Sequence, residues 1–139
     1  ISTKKTLEIL RQKLEEDETV PKDAIESYTN HKQLEICLET HFKTIDGRVF
    51  SQTNGTPTGK SISGPIVGIY LSWFEEEFIY SERCKNNPTP WKRMRDDVFI
   101  IWDHGEKKLL ELLSHVNGQE KRVQFTIERE VNGVLAFRT

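Results

Sequence analysis

The chain has 139 residues, of which 35% are hydrophobic and 30% are charged, and its formal net charge is −2. This length suits one domain, and the composition is typical of a globular protein. No apolar run approaches the roughly 18 residues that a membrane span requires, so we expect no membrane partner. The two cysteines, Cys37 and Cys84, lie far apart without a metal-binding spacing. They disfavour a zinc site and favour reduced thiols inside the cell, in the nucleus or the cytoplasm.

The first residues predict an amphipathic helix and not a signal peptide. Ser2 is suited to cap this helix, in which Leu7, Leu10 and Leu14 recur at helical spacing. The acidic residues that follow, together with Pro21, predict where the helix ends.

A second helix and a hairpin are predicted next. The helix would begin at Thr29 or Asn30 and place four residues on its inner face: Leu34, Cys37, Leu38 and Phe42. Asp46-Gly47, between two short apolar stretches, predicts the turn of a β-hairpin.

A loop and a long, mostly buried helix are predicted over the middle of the chain. Residues 53–65 are rich in Gly, Ser and Thr, which indicates a loop. The helix after it has inner residues at helical intervals: Ile66, Ile69, Tyr70, Trp73, Phe74 and Phe78. The stretch GTPTGKS, residues 55–61, departs from a phosphate-binding P-loop, because only three residues separate Gly55 from Gly59-Lys60 and Pro57 lacks an amide donor. Nucleotide hydrolysis is therefore only a third hypothesis.

Residues 83–102 combine a basic strip, a pair of acids and an apolar run. The basic strip, residues 83–95, contains no acid and five cations: Arg83, Lys85, Lys92, Arg93 and Arg95. It either neutralises a polyanion or is a solvated loop. Because an ionised Asp is costly to bury and disfavoured in strands, Asp96-Asp97 predict a turn that leads into a core strand over residues 98–102.

The end of the chain predicts another helix and a hairpin. Residues 105–116 are leucine-rich and amphipathic. In residues 122–137, Val123, Phe125 and Ile127 alternate with polar residues, and Asn132-Gly133 suits a type I′ turn. The predicted order is ααββ-loop-α-ββ-α-ββ, which indicates an α+β fold with an antiparallel sheet backed by helices.

Three segments, taken in order, resemble the palm domain of reverse transcriptases, particularly of the reverse transcriptases of Penelope-like retroelements. They are QTNGTPTGKSISGPIVGIYL (52–71), WKRMRDDVFIIWDHGEKKLLELLSHVN (91–117) and VQFTIEREVNGVLAF (123–137). The family patterns that they resemble are Q-T-D-G-x-x-M-G-S-P-L-S-P-x-x-A-N-I-x-M, W-x-R-Y-V-D-D-x-F-V-I-W and I-K-F-T-x-E-x-E-x-x-G-x-L-P-F. The resemblance spans essentially the whole chain. It implies that residues 1–139 are a partial palm-like domain of an RNA-directed DNA polymerase.

The resemblance implies a catalytic metal site at the Asp pair. Asp96 matches the carboxylate that binds Mg²⁺ in that family, and Asp97 its more peripheral neighbour. Two divalent ions, about 3.5–4 Å apart, stabilise the attacking and leaving oxygens of nucleotidyl transfer. The family's other essential Asp would lie on a strand before Ile1, so we expect Mg²⁺ or Mn²⁺ to bind only together with that upstream residue, and the isolated fragment to be inactive.

The resemblance also implies contacts with substrate. Four residues match the template and nucleotide surface of the family: Gln52, Gly55, Thr58 and Gly59. Lys92 and Arg93 would contact nucleic-acid phosphates. The implied partners are an RNA template, a DNA primer, a dNTP and the remaining polymerase domains of the parent protein.

One departure from the family favours a second hypothesis. Met94-Arg95 stands where the family has Tyr-Val, and a cation beside a metal-binding carboxylate competes with the metal. The alternative is a non-catalytic, polymerase-derived module that binds nucleic acid or protein.

Overall fold

The computed structural model describes residues 3–52, 55–57 and 59–135. The helices and strands are, in chain order, α1 (Thr3–Glu16), α2 (Lys22–Tyr28), α3 (His31–Leu38), β1 (His41–Lys43), β2 (Val49–Ser51), α4 (Ser63–Phe78), β3 (Trp91–Met94), β4 (Asp97–Ile100) and α5 (Glu106–Gln119). The predicted α+β class is confirmed. The strands of the described residues form two separate antiparallel pairs, β1–β2 and β3–β4, and not one sheet. The chain divides into two compact units, Ile1–Trp73 and Phe74–Thr139.

In the first unit, α1 packs against α2 and α3 and buries Leu7 and Ile9. Its predicted end before Pro21 is confirmed, whereas the predicted cap at Ser2 lies outside the described residues. Helix α2 was not predicted. It has only seven residues, and among its side chains that the structure describes one hydrophobic residue is buried, Ile25, which is too few to produce a helical repeat.

Helix α3 begins as predicted and ends earlier than predicted. The side-chain oxygen of Asn30 accepts hydrogen bonds from the backbone N–H groups of Lys32 (3.1 Å) and Gln33 (3.3 Å), which caps the helix. The predicted inner face is wrong for two residues. Cys37 is exposed, and Phe42 lies on β1, where it is also exposed, because the helix stops at Leu38. Leu38 is buried as predicted, and the side chain of Leu34 lies outside the described set.

The predicted hairpin at Asp46-Gly47 is confirmed. The Thr44 N–H donates to Arg48 O and the Gly47 N–H donates to Thr44 O, both at 2.9 Å, which closes a three-residue loop. Gly47 has φ 85°, a conformation that side chains disfavour. The carboxylate of Asp46 accepts bonds from the Thr44 hydroxyl and from Arg48 Nε, the latter at 2.6 Å. These bonds, the one from Thr44 first, lower the pKa of Asp46.

The second unit has an aromatic core. Phe74 is fully buried, with ring centroids 5.0 Å from Phe78 and 6.0 Å from Phe125. Leu112 and Val116 of α5 are buried, as predicted for its apolar face, whereas Leu110, which was predicted on or near that face, is exposed. The run 98–102 is not the core strand that we predicted: β4 ends at Ile100, and Phe99 and Ile101 are exposed by 36% and 60%. Successive side chains of a strand point to opposite faces, and the face of this two-stranded sheet that carries Phe99 is exposed.

The predicted terminal hairpin is right in its turn and wrong in its first strand, and the end of its second strand, residues 136–137, lies outside the described residues. The described residues beyond Gln119 form no strand, only a bridge between Val131 and Val134. Asn132 and Gly133 have φ values of 53° and 75°, as a type I′ turn requires. The physical reason for the missing strand lies at Phe125. Its N–H donates to the side-chain oxygen of Asn117 (2.7 Å) and its carbonyl accepts from the Asn117 amide nitrogen (3.0 Å), so a helix side chain occupies the place of a neighbouring strand.

Candidate metal and nucleic-acid site

The acid pair lies at the tip of a tight hairpin. We call residues 91–100, which comprise β3, its turn and β4, the Asp hairpin. Met94 pairs with Asp97, so Arg95 and Asp96 form a two-residue turn in which Arg95 has φ 55°. Asp96 and Asp97 are both exposed. The predicted turn between two strands is confirmed at Asp96, whereas Asp97 is the first residue of β4, and both residues are exposed.

The two faces of the Asp hairpin differ in character. The inner face carries a buried Trp91 and half-buried residues: Arg93, Val98 and Ile100. The outer face is exposed throughout: Lys92, Met94, Asp97 and Phe99. Lys92 and Phe99 are direct cross-strand partners. Of the two predicted phosphate contacts, Lys92 thus lies on the outer face and Arg93 on the inner one.

Arg93 is bound within the protein by Glu75 of α4. Its Nε donates to Glu75 Oε1 at 2.6 Å and its Nη2 to Oε2 at 3.4 Å. The same Oε1 accepts the indole N–H of Trp91 at 3.0 Å. The side chains of Arg93 and Glu75 are 21% and 13% exposed, so Glu75 neutralises Arg93 in a setting that is mostly shielded from water.

Two further contacts hold Trp91. The hydroxyl of Tyr80 donates to Trp91 O at 3.3 Å, and the ring of Phe125 meets the indole edge-on with centroids 5.9 Å apart. Burial, followed by the nearby negative charge of Glu75, raises the pKa of Tyr80 above its usual value. The beginning of β3 is therefore fixed by contacts on several sides.

The carboxylate oxygens of Asp96 and Asp97 are ligands of the type that a hard cation prefers, but two carboxylates are too few to complete its coordination. Mg²⁺ prefers carboxylate oxygens and retains several waters, so it requires few protein ligands when substrate phosphates complete its shell. Among residues 3–52, 55–57 and 59–135, however, no group of three or more His, Cys, Asp or Glu side chains could hold a metal ion. The described residues thus offer an incomplete set of metal ligands.

The predicted template and nucleotide surface belongs to the first unit. Gln52 is half-buried and its N–H donates to Thr40 O at 2.9 Å. Gly55 and Gly59 have φ values of 82° and 88°, which explains why glycine occupies both positions. Thr58 lies outside the described residues. The backbone conformation therefore accounts for the glycines, and their contact with substrate stays a prediction.

Lys60, the residue that gives this loop its likeness to a P-loop, binds backbone carbonyl groups of the protein itself. Its ammonium group donates to the carbonyl of Cys37 at 2.9 Å and to that of Glu39. These carbonyls lie at the C-terminal end of α3, where a cation is favourable. The ammonium group of Lys60 therefore caps the C-terminal end of α3.

The basic strip is partly neutralised. Arg83 forms an ion pair with Glu77, as Arg93 does with Glu75, whereas Lys85, Lys92 and Arg95 are exposed. The contacts of Glu75 with Trp91 and Arg93 were not predicted from the sequence. The only signal was a run of three acids in an otherwise apolar helix, and that run does not indicate which acid faces inward.

Comparison with protein-family models, with curated proteins and with solved structures found no match to this chain. Within the described ranges, no helix is both long and apolar enough to cross a membrane.

Proposed function

We propose that the chain is a palm fragment of a retroelement-type RNA-directed DNA polymerase, in which Asp96, assisted by Asp97, binds a divalent metal ion. One observation carries the proposal: Asp96 lies in the two-residue turn of an antiparallel hairpin, at the place that the sequence resemblance implies for a metal-binding carboxylate. RNA template, DNA primer, dNTP, the remaining polymerase domains and a nuclear or cytoplasmic location belong to the same proposal.

The physical case rests on accessibility and rigidity. Both carboxylates are exposed, so they can be approached by a hydrated ion and by substrate phosphates without desolvation of a buried charge. The strand before them is held by Glu75, Tyr80 and Phe125. A catalytic group is most effective when its support fixes its position.

The first test is metal binding by the encoded protein together with its upstream residues, because the resemblance implies that the metal binds only with an upstream Asp. We expect Mn²⁺, used as a paramagnetic probe, to broaden the backbone NMR signals of residues 94–98 selectively. Asp96→Asn should abolish this broadening. Asp103→Asn is the matched control, because Asp103 is an exposed acid of the same unit, with its side chain 86% exposed, outside the Asp hairpin. Broadening that is uniform, or that survives Asp96→Asn, would refute the metal site.

The second test is catalysis by the encoded protein together with its upstream residues. We expect Mg²⁺- or Mn²⁺-dependent primer extension that Asp96→Ala eliminates. Extension that persists in this variant would show that Asp96 is not a catalytic ligand.

A second candidate is a non-catalytic module that binds nucleic acid. It is favoured by Arg95, an exposed cation directly before Asp96, and by the exposed Lys85 and Lys92. This candidate predicts binding of single-stranded RNA that weakens with salt and needs no divalent metal. Lys92→Ala should reduce the salt slope by about 1, while Lys121→Ala, at an exposed position outside the strip, should leave it unchanged. The absence of binding at low salt would eliminate this candidate.

A further inference from the structure

We infer that Glu75 is a positioning residue: it sets the orientation of the Asp hairpin against the last turns of α4. It thereby determines the position and direction of the carboxylates of Asp96 and Asp97. The consequence for metal binding rests on the proposed function, whereas the orientation of the hairpin does not.

The geometry of β3 allows the single carboxylate of Glu75 to bind two side chains of the strand. Trp91 and Arg93 are two residues apart on a strand, so their side chains point to the same face. Glu75 reaches both: Oε1 accepts from the indole and from Arg93 Nε, and Oε2 accepts from Arg93 Nη2. The two-pronged contact with the guanidinium fixes an angle as well as a distance.

The position of Arg93 makes it the anchor closest to the acids. Tyr80 and Phe125 contact Trp91, at the start of β3. Arg93 lies one residue before Met94, the last residue of the strand, after which the turn begins. A change at Glu75 therefore acts on the end of β3 that carries Asp96.

An anchor of this kind is needed because a hairpin of two strands is marginally stable by itself. The outer face of the Asp hairpin is exposed throughout, so its orientation depends on contacts made by the inner face. The bonds to Glu75 involve charged groups with little access to water, a setting in which such bonds are stronger than at the surface.

The experiment compares Glu75→Gln with Glu77→Gln in the encoded protein together with its upstream residues, as in the metal-binding test above. Glu77 lies on the same helix and also pairs with an arginine, Arg83, but that residue is outside the Asp hairpin. Residual dipolar couplings of the amides of residues 91–100 report hairpin orientation, and Mn²⁺ broadening at residues 94–98 reports the acids. We expect Glu75→Gln to change the couplings and to weaken Mn²⁺ binding about 10-fold, the lower end of the effect of losing a direct partner of a metal ligand, because Glu75 acts on the acids only through β3. Glu77→Gln should change neither.

The two readouts separate the two ideas. Changed couplings in Glu75→Gln, together with no Mn²⁺ binding by the wild-type protein that carries the upstream residues, would uphold the positioning role and refute the metal site. Wild-type couplings in Glu75→Gln would overturn the positioning role whatever the metal does. If Glu75→Gln does not fold, Arg93→Lys decides, because it keeps the charge and loses the two-pronged contact. Altered hairpin couplings in that folded variant support the inference, and unaltered ones overturn it.

Discussion

Asn117→Ala is expected to release the segment around Phe125 from α5. The wild-type side chain makes two hydrogen bonds with the backbone of Phe125, at 2.7 and 3.0 Å, in a partly buried setting. Each such bond contributes about 0.5–1.5 kcal/mol net, so the loss of both should cost about 1–3 kcal/mol of local stability. At about 1.4 kcal/mol for each factor of ten, the Phe125 amide should exchange about 5- to 150-fold faster with solvent deuterium.

Hydrogen exchange followed by NMR measures this effect at the residue concerned. Gln119→Ala is the control, since Gln119 lies two residues further along α5 and donates to its own helix at His115 O, at 2.9 Å. That variant should leave exchange at Phe125 unchanged. If the amide of Phe125 exchanges equally fast in wild type and in Asn117→Ala, the side chain does not replace a strand partner, and our explanation of the missing terminal strand is refuted.

Three further predictions concern turns and thiols. Arg95→Gly should stabilise the chain by about 0.5 kcal/mol in urea unfolding, because relief of the left-handed conformation, about 1–2 kcal/mol, exceeds the entropy cost of glycine, about 0.5–1 kcal/mol; a loss of stability would contradict this. Iodoacetamide should alkylate the exposed Cys37 before the buried Cys84, since burial raises the pKa of the Cys84 thiol, and peptide mass spectrometry would detect the reverse order. Asp46 should titrate below 3.8 in carboxyl NMR, because the Thr44 hydroxyl and the adjacent guanidinium favour its charged form. Its contribution to the hairpin should therefore be complete above pH 3.8 and lost as the pH falls through the lowered pKa, and a midpoint at or above 3.8 would contradict it.

The long helices were predictable because they carry many repeats of one apolar pattern. Helices α1, α4 and α5 each have 14 or 16 residues, and their buried positions follow the helical period. Helix α2 has seven residues and was missed. Phe42 was assigned to α3 and not to β1 because its spacing from Leu38 suits a helix. The sequence does not show that α3 ends at Leu38, where the ammonium group of Lys60 donates hydrogen bonds to the last carbonyl groups.

The terminal segment shows what periodicity can and cannot predict. Residues 123–128 alternate between half-buried and exposed, as their alternating sequence predicts. The partner of the backbone at Phe125, however, is a side chain eight residues earlier. The alternation of polar and apolar residues specifies which side chains face inward, but it does not specify what pairs with the backbone. Residues 123–128 therefore show the alternating burial of a strand although they are not paired with a neighbouring strand.

For the candidate site, the turn was predictable and its support was not. Adjacent acids beside an apolar run indicate a turn locally, and the structure has one at Asp96. The bond between Glu75 and Arg93 joins residues 18 positions apart. A local pattern cannot select one of three consecutive acids as the partner of one of five cations.

The contact of Glu75 with Trp91 and Arg93 also constrains how this protein can change during evolution. Removing one member of a shielded ion pair costs about 3–5 kcal/mol when the pair is buried, whereas replacing the whole set with apolar residues is often neutral. Positions 75, 91 and 93 should therefore vary together among descendants of a common ancestor, and lineages with a mixed set should be rare. An arginine at position 93 would then be inherited with an acid at position 75, even where the acids of the turn have been lost.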